Sequence, residues 1–204
     1  MTDAMPWGQV FGLLFMTMGP IRAIAVFGTF GDDDRAPGVA SLANRSAALV
    51  AGAYAVAVLM GNGALTAWGV SFPVLIGAAG FALFALSLQG LLYPSAPSSG
   101  SRDVEKIPAA AVAFPGLFPP IAVTIPLIFS VPFPGAANMA GLIALGLGLI
   151  AVNWLLMRRS KAILNAIGPV PLQLFGAVFG VLQLALGLQF MADAAVMFGT
   201  QGTP

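Results

Sequence analysis

The chain has 204 residues, of which 59% are hydrophobic and 7% charged, with a formal net charge of +1 and no Cys or His. Soluble domains carry about 25% charged residues, so this composition describes a chain dissolved in lipid, with length for one six-helix bundle and no separate soluble domain. Lacking Cys and His, it has no disulfides, no thiol chemistry and none of the usual zinc, copper or haem ligands; no metal or cofactor is expected, and the scattered basic residues do not suit nucleic acid.

A crossing of the hydrocarbon core takes about 20 mostly apolar residues. The first apolar run, Pro6–Thr29, follows an acidic Asp3 with no basic n-region and is longer than a signal core, so it reads as a retained helix. Met18-Gly19-Pro20 sits near its middle. Pro20 has no amide proton and its ring crowds the carbonyl of Met16, which predicts a kink or unwinding there. Arg22 lies seven residues before Thr29, roughly 10 Å along a helix at 1.5 Å per residue. It either meets a carboxylate or anion inside the bundle or snorkels to the headgroups, and both readings stay open.

Ala47–Gly63 is the second run, short for a crossing unless its ends extend, and Phe72–Tyr93 is the third. A linker rich in Ser and Pro, residues 94–107, separates it from the fourth, Pro108–Ser130. That run holds Pro115, Pro119, Pro120 and Pro126, four prolines within twelve residues. They free several carbonyls, which in hydrocarbon must find protein or water partners. The fifth and sixth runs, Ala136–Met157 and Val170–Ala195, each carry a stripe of small residues. Ala137, Gly141, Ala144, Gly148 and Ala151 form one, and Gly176, Gly180 and Gly187, together with Gln183, form the other; such spacing predicts close helix contact.

Arg35 and Arg45 flank the first loop, Arg102 and Lys106 lie in the third, and Arg158, Arg159 and Lys161 occupy the fifth. Arg22 is the one remaining basic residue. The positive-inside bias then places loops one, three and five in the cytoplasm and both termini in the periplasm. Shifting the chain by 100 positions matches Val70, Gly80, Ala85, Leu86, Leu88 and Gln89 to Val170, Gly180, Ala185, Leu186, Leu188 and Gln189, and Pro20-Ile21 to Pro120-Ile121. The expected fold is all-α: a polytopic membrane protein whose six transmembrane helices form two three-helix repeats, residues 1–93 and 108–204. An odd number of spans per repeat makes the repeats inverted, and inverted repeats are a mark of secondary transporters.

These pieces resemble the MarC family of bacterial inner-membrane proteins. Gly19-Pro20-Ile21-Arg22-Ala23 stands where that family typically carries Asp-Pro-Ile-Gly-Asn. Phe114-Pro115 and Pro119 are similar to its Phe-Pro-x-x-x-Pro, with Val123-Thr124-Ile125 in place of a following Gly-Pro-Gly. Gly187-Leu188-Gln189 is similar to its Ala-Val-Gln-like segment. The resemblance implies six spans, two related halves, the inner membrane and, as described for some members, transport of small neutral amino acids. The departures in the first and fourth helices bear on substrate more than on fold.

The expected function is thus a secondary transporter or exporter of a small solute, with a non-transporting scaffold or regulatory subunit as the alternative. An enzyme is not expected, since no paired carboxylates and no serine with a base share a membrane layer. Substrate contact is expected at the broken first and fourth helices and at one polar side chain facing them. The candidates are Thr17, Gly19, Pro20, Arg22, Phe114, Pro115, Pro119, Pro120, Thr124 and Gln183. The partners implied are the bilayer and the solute, with self-association into a homo-oligomer left open.

Overall fold

The structure, a computed structural model, describes residues 4–28, 37–92, 107–119 and 121–201. The linker predicted at 94–107 falls outside them except for Ile107. The first apolar run is two helices, α1 (Trp7–Met18) and α2 (Pro20–Phe27), separated by Gly19 in extended conformation, φ −69° and ψ 168°. α3 runs from Pro37 to Ala67 and α4 from Phe72 to Leu92. The fourth run starts with a single turn, α5 (Ala109–Ala111), continues as a π-helical segment, Val112–Leu117, and resumes as α6 (Ile121–Ser130). α7 (Ala136–Met157), a short α8 (Ser160–Ile167) and α9 (Pro169–Gln201) complete the chain.

Four helices among the described residues are long and apolar enough to cross a membrane: α3, α4, α7 and α9. At 1.5 Å per residue α3 is about 46 Å long, more than the roughly 30 Å hydrocarbon core. The expected second span, Ala47–Gly63, is therefore too short: the helix begins ten residues earlier, at Pro37, and carries Asn44 and Arg45 within it. Neither α1 nor α2 alone covers the core. The stretch expected as the fifth loop holds a helix of its own, α8, which meets α9 at Gly168, whose φ of +80° is readily open to glycine alone.

The core lies between α1, α3, α6 and α7, and its largest fully buried side chains include Leu14, Met18, Tyr54, Phe118, Ile125 and Leu142. α1 packs on α6, α2 on the π-helical segment, α3 on α7, and α4 along α9. The last contact is backbone to backbone: a Cβ on Gly80 would lie 2.7 Å from the Gly187 carbonyl oxygen. In α7 the expected packing stripe is mostly on the outside. Ala137, Ala144, Gly148 and Ala151 are exposed, and a Cβ on Gly148 would meet nothing within 4 Å. The buried face runs instead through Leu142, Gly146, Leu149, Asn153 and Met157. Gly146 accepts the ring of Tyr54, whose hydroxyl donates to the Leu142 carbonyl at 2.9 Å. The large side chains and the hydrogen bond, rather than the small residues, decide which face of α7 turns inward. In α9, by contrast, Gly180 and Gly187 do lie against α4, at Leu91 and Phe84, whereas Gly176 meets nothing within 4 Å.

A polar break between the first two helices

An α-helix ends with four carbonyls that lack intrahelical partners. In α1 these belong to Phe15, Met16, Thr17 and Met18, and Pro20 removes the amide that Met16 would otherwise receive. The fold supplies side chains in its place. Gln183 Nε2 of α9 donates to the Met16 carbonyl, and Asn153 Nδ2 of α7 donates to the Met18 carbonyl. Behind Gln183, the Ser87 hydroxyl of α4 donates to Oε1 at 3.4 Å. One proline is thereby tied to three other helices. Gly19 is buried at the gap, and a Cβ there would run into the Phe15 carbonyl, so the extended joint requires glycine.

The second break is built differently. Phe114 has an extended backbone, φ −126° and ψ 124°, inside the π-helical segment. The Phe118 amide closes the segment onto the Ala113 carbonyl at 2.8 Å. Aromatic rings fill the space around it: Phe114 and Phe118 meet edge to face at 5.7 Å, and Phe118 meets Tyr54 at 6.4 Å. Pro119 is buried and its carbonyl accepts from the Ala122 amide at 2.9 Å. The wider turn thus pairs the Ala113 carbonyl with an amide five residues on, and the Pro119 carbonyl with one three residues on, so backbone meets backbone on both sides of the break.

The candidates from the sequence divide accordingly. Gly19, Pro20 and Gln183 meet at the first break. Thr17 is buried beside it but turns its hydroxyl back onto the Leu13 and Leu14 carbonyls at 2.8 and 3.3 Å. Phe114 and Pro119 belong to the second break. Thr124, half-buried in α6, likewise donates into its own helix, to the Ile121 carbonyl at 2.7 Å. Pro120 and the side chains of Arg22 and Pro115 lie outside what is described, so the two readings of Arg22 stand as they were. Asn153 and Ser87 were absent from the candidate set. Asn153 had a visible signal, an amide deep in an apolar run whose other amide, Asn138, stands near its start, while nothing in its neighbours distinguishes Ser87.

No charged side chain is described at the first break, and among the described residues no three Asp, Glu, His or Cys side chains converge on a metal-sized site. What the break offers is neutral dipoles around a buried joint: carbonyl oxygens at the negative end of α1 and the amides that open α2. A separate cleft of about 300 Å³ lies at the α3–α4 turn, lined by Asn62, Thr66, Ser71, Leu75 and Val131 among others, and includes none of the candidates.

Neither a curated protein nor a solved structure matches the chain. The model of the MarC family of integral membrane proteins matches residues 6–198, nearly the whole length. With its all-helical fold and its long apolar helices, this chain belongs to the MarC family of integral membrane proteins.

Proposed function

We propose that the chain is a secondary transporter or exporter of a small solute, a neutral amino acid in the first instance, across the bacterial inner membrane. The observation that carries this reading is the first break, an interrupted helix whose freed carbonyls lie among three other helices rather than at lipid. Six crossings follow if α1 with α2, and α5 with α6, each count as one interrupted span. α1 and α2 together are about 30 Å long at 1.5 Å per residue, which matches the hydrocarbon core.

Two inverted three-span repeats, residues 1–93 and 108–204, are supported by the pairing of corresponding elements. α1 and α2 lie on α6 and the π-helical segment in opposite order, α3 lies on α7, and α4 on α9. Such crosswise pairing is what a two-fold axis in the membrane plane produces. Loops one, three and five would be cytoplasmic and both termini periplasmic, as the basic residues require. The solute would bind through dipoles, without covalent chemistry.

The test is flux. Purified protein in proteoliposomes, loaded with a panel of labelled neutral amino acids, should release at least one faster than protein-free vesicles. Gln183→Leu should slow that release, because it frees the Met16 carbonyl. Equal rates in both kinds of vesicle for the whole panel end the transporter reading. A second reading, a non-transporting scaffold, is favoured by one specific fact: Gln183 and Asn153 already occupy the freed carbonyls, as a purely structural kink would need. Pull-down of a stoichiometric partner from membranes, together with absent flux, would select it.

A further inference from the structure

Asn153 is buried, with 4% of its surface exposed. Among the described residues its Oδ1 is the buried side-chain polar atom without a hydrogen-bond partner. Rotating the amide does not relieve this. With Nδ2 and Oδ1 exchanged, the oxygen would face the Met18 carbonyl, acceptor against acceptor, so the assignment with Nδ2 on Met18 is the only sensible one. An unpaired acceptor in a low-dielectric interior is costly, and this one belongs to a side chain tied to the break. Beside it is a further acceptor, the second lone pair of the Met18 carbonyl at the negative end of α1. The hydroxyl of Thr17, in the same turn of α1, is spent on its own helix.

We infer that Asn153 Oδ1 and the Met18 carbonyl form a binding site for a compact monovalent cationic group, either a small inorganic cation or the ammonium end of a zwitterion. The chemistry follows from the donor set. Both ligand atoms are neutral oxygens with a lone pair to give, which suits a hard cation or an N–H donor. Half-helix C-termini and unwound carbonyls serve such cations in interrupted membrane helices. The site rests on the break being a place where ligands bind, as proposed above, but it needs no solute to cross the membrane. Failure of flux and failure of binding are therefore separate results.

Thermal unfolding of the purified full chain in detergent tests it at constant ionic strength. Choline chloride is the bulky reference, against sodium chloride, ammonium chloride, and choline chloride with added glycine. A saturating compact cation should raise Tm by roughly 2–4 °C over choline. Stabilisation by sodium or ammonium assigns an inorganic cation; stabilisation by glycine alone assigns the ammonium of a zwitterion. Asn153→Leu should erase the difference between salts, and Asn153→Asp, which adds a counter-charge, should enlarge it. The same Tm in all four solutions, meaning that water alone occupies the site, overturns the inference, as does a full response in Asn153→Leu. Should the leucine variant fail to fold, a response in Asn153→Asp no larger than that of the unaltered chain overturns it instead.

Discussion

The two interrupted runs answer one problem, proline in an apolar helix, in opposite ways. At Gly19-Pro20 the freed carbonyls are met by amide side chains from α7 and α9. At Phe114–Pro119 the backbone widens into a π-turn, recovers one bond, and is packed by Phe118 and Tyr54 rings. A break stabilised by amides keeps polar atoms inside the bundle, where a ligand can compete for them. A break packed by rings and closed by a wider turn pairs backbone with backbone at Ala113 and Pro119. The difference marks the first break as the chemically available one, although the second holds more prolines.

The largest effect should come from Gly19→Val. Its Cβ would meet the Phe15 backbone carbonyl, which cannot give way without moving α1. We expect a loss above about 4 kcal/mol, in the tail reserved for broken backbone geometry, read as failure to elute as a monodisperse particle. Phe118→Ala comes next. Phe118 is 1% exposed and joins Phe114 to Tyr54, so about 3–5 kcal/mol should be lost in denaturant unfolding. If that variant is as stable as the parent, the aromatic account of the second break is wrong.

Asn153→Leu and Gln183→Leu should each cost about 0.6–2 kcal/mol, the range for an interhelical hydrogen bond in a membrane bundle. Their hydrogen exchange should rise at the end of α1 and not in α6. Exchange rising equally in both would mean that the breaks are coupled and the contrast between them false. The smallest effect is Gly116→Ala, the glycine of the second break, whose added Cβ would meet nothing within 4 Å. A change within about 0.5 kcal/mol is expected, and a loss comparable with that of Gly19→Val would show that the π-turn needs glycine after all.

Hydropathy marked the long apolar helices and proline positions placed both interruptions, because each signal is local: run length against bilayer thickness, and a ring where an amide should be. The family, too, was legible from short segments around Pro20 and Phe114-Pro115, and the match over residues 6–198 agrees. Less was legible where a choice depended on neighbours. The small-residue stripe of α7 promised an interface, but Tyr54 and Asn153 drew a different face inward. Composition makes any face of an apolar helix eligible for burial, and only its partners choose among them.

The same division holds at the candidate site. That Met16 would lose its amide follows from Pro20 in the sequence; that Gln183, 167 positions away, would replace it does not. The sequence by itself determined the solvent, the helical class and the points where the backbone must open, since these depend on adjacent residues and on hydrogen bonds that lipid cannot supply. Tertiary structure alone decided which distant amides close the first opening, and left Asn153 with an oxygen unpaired, because those outcomes depend on how four helices meet in space.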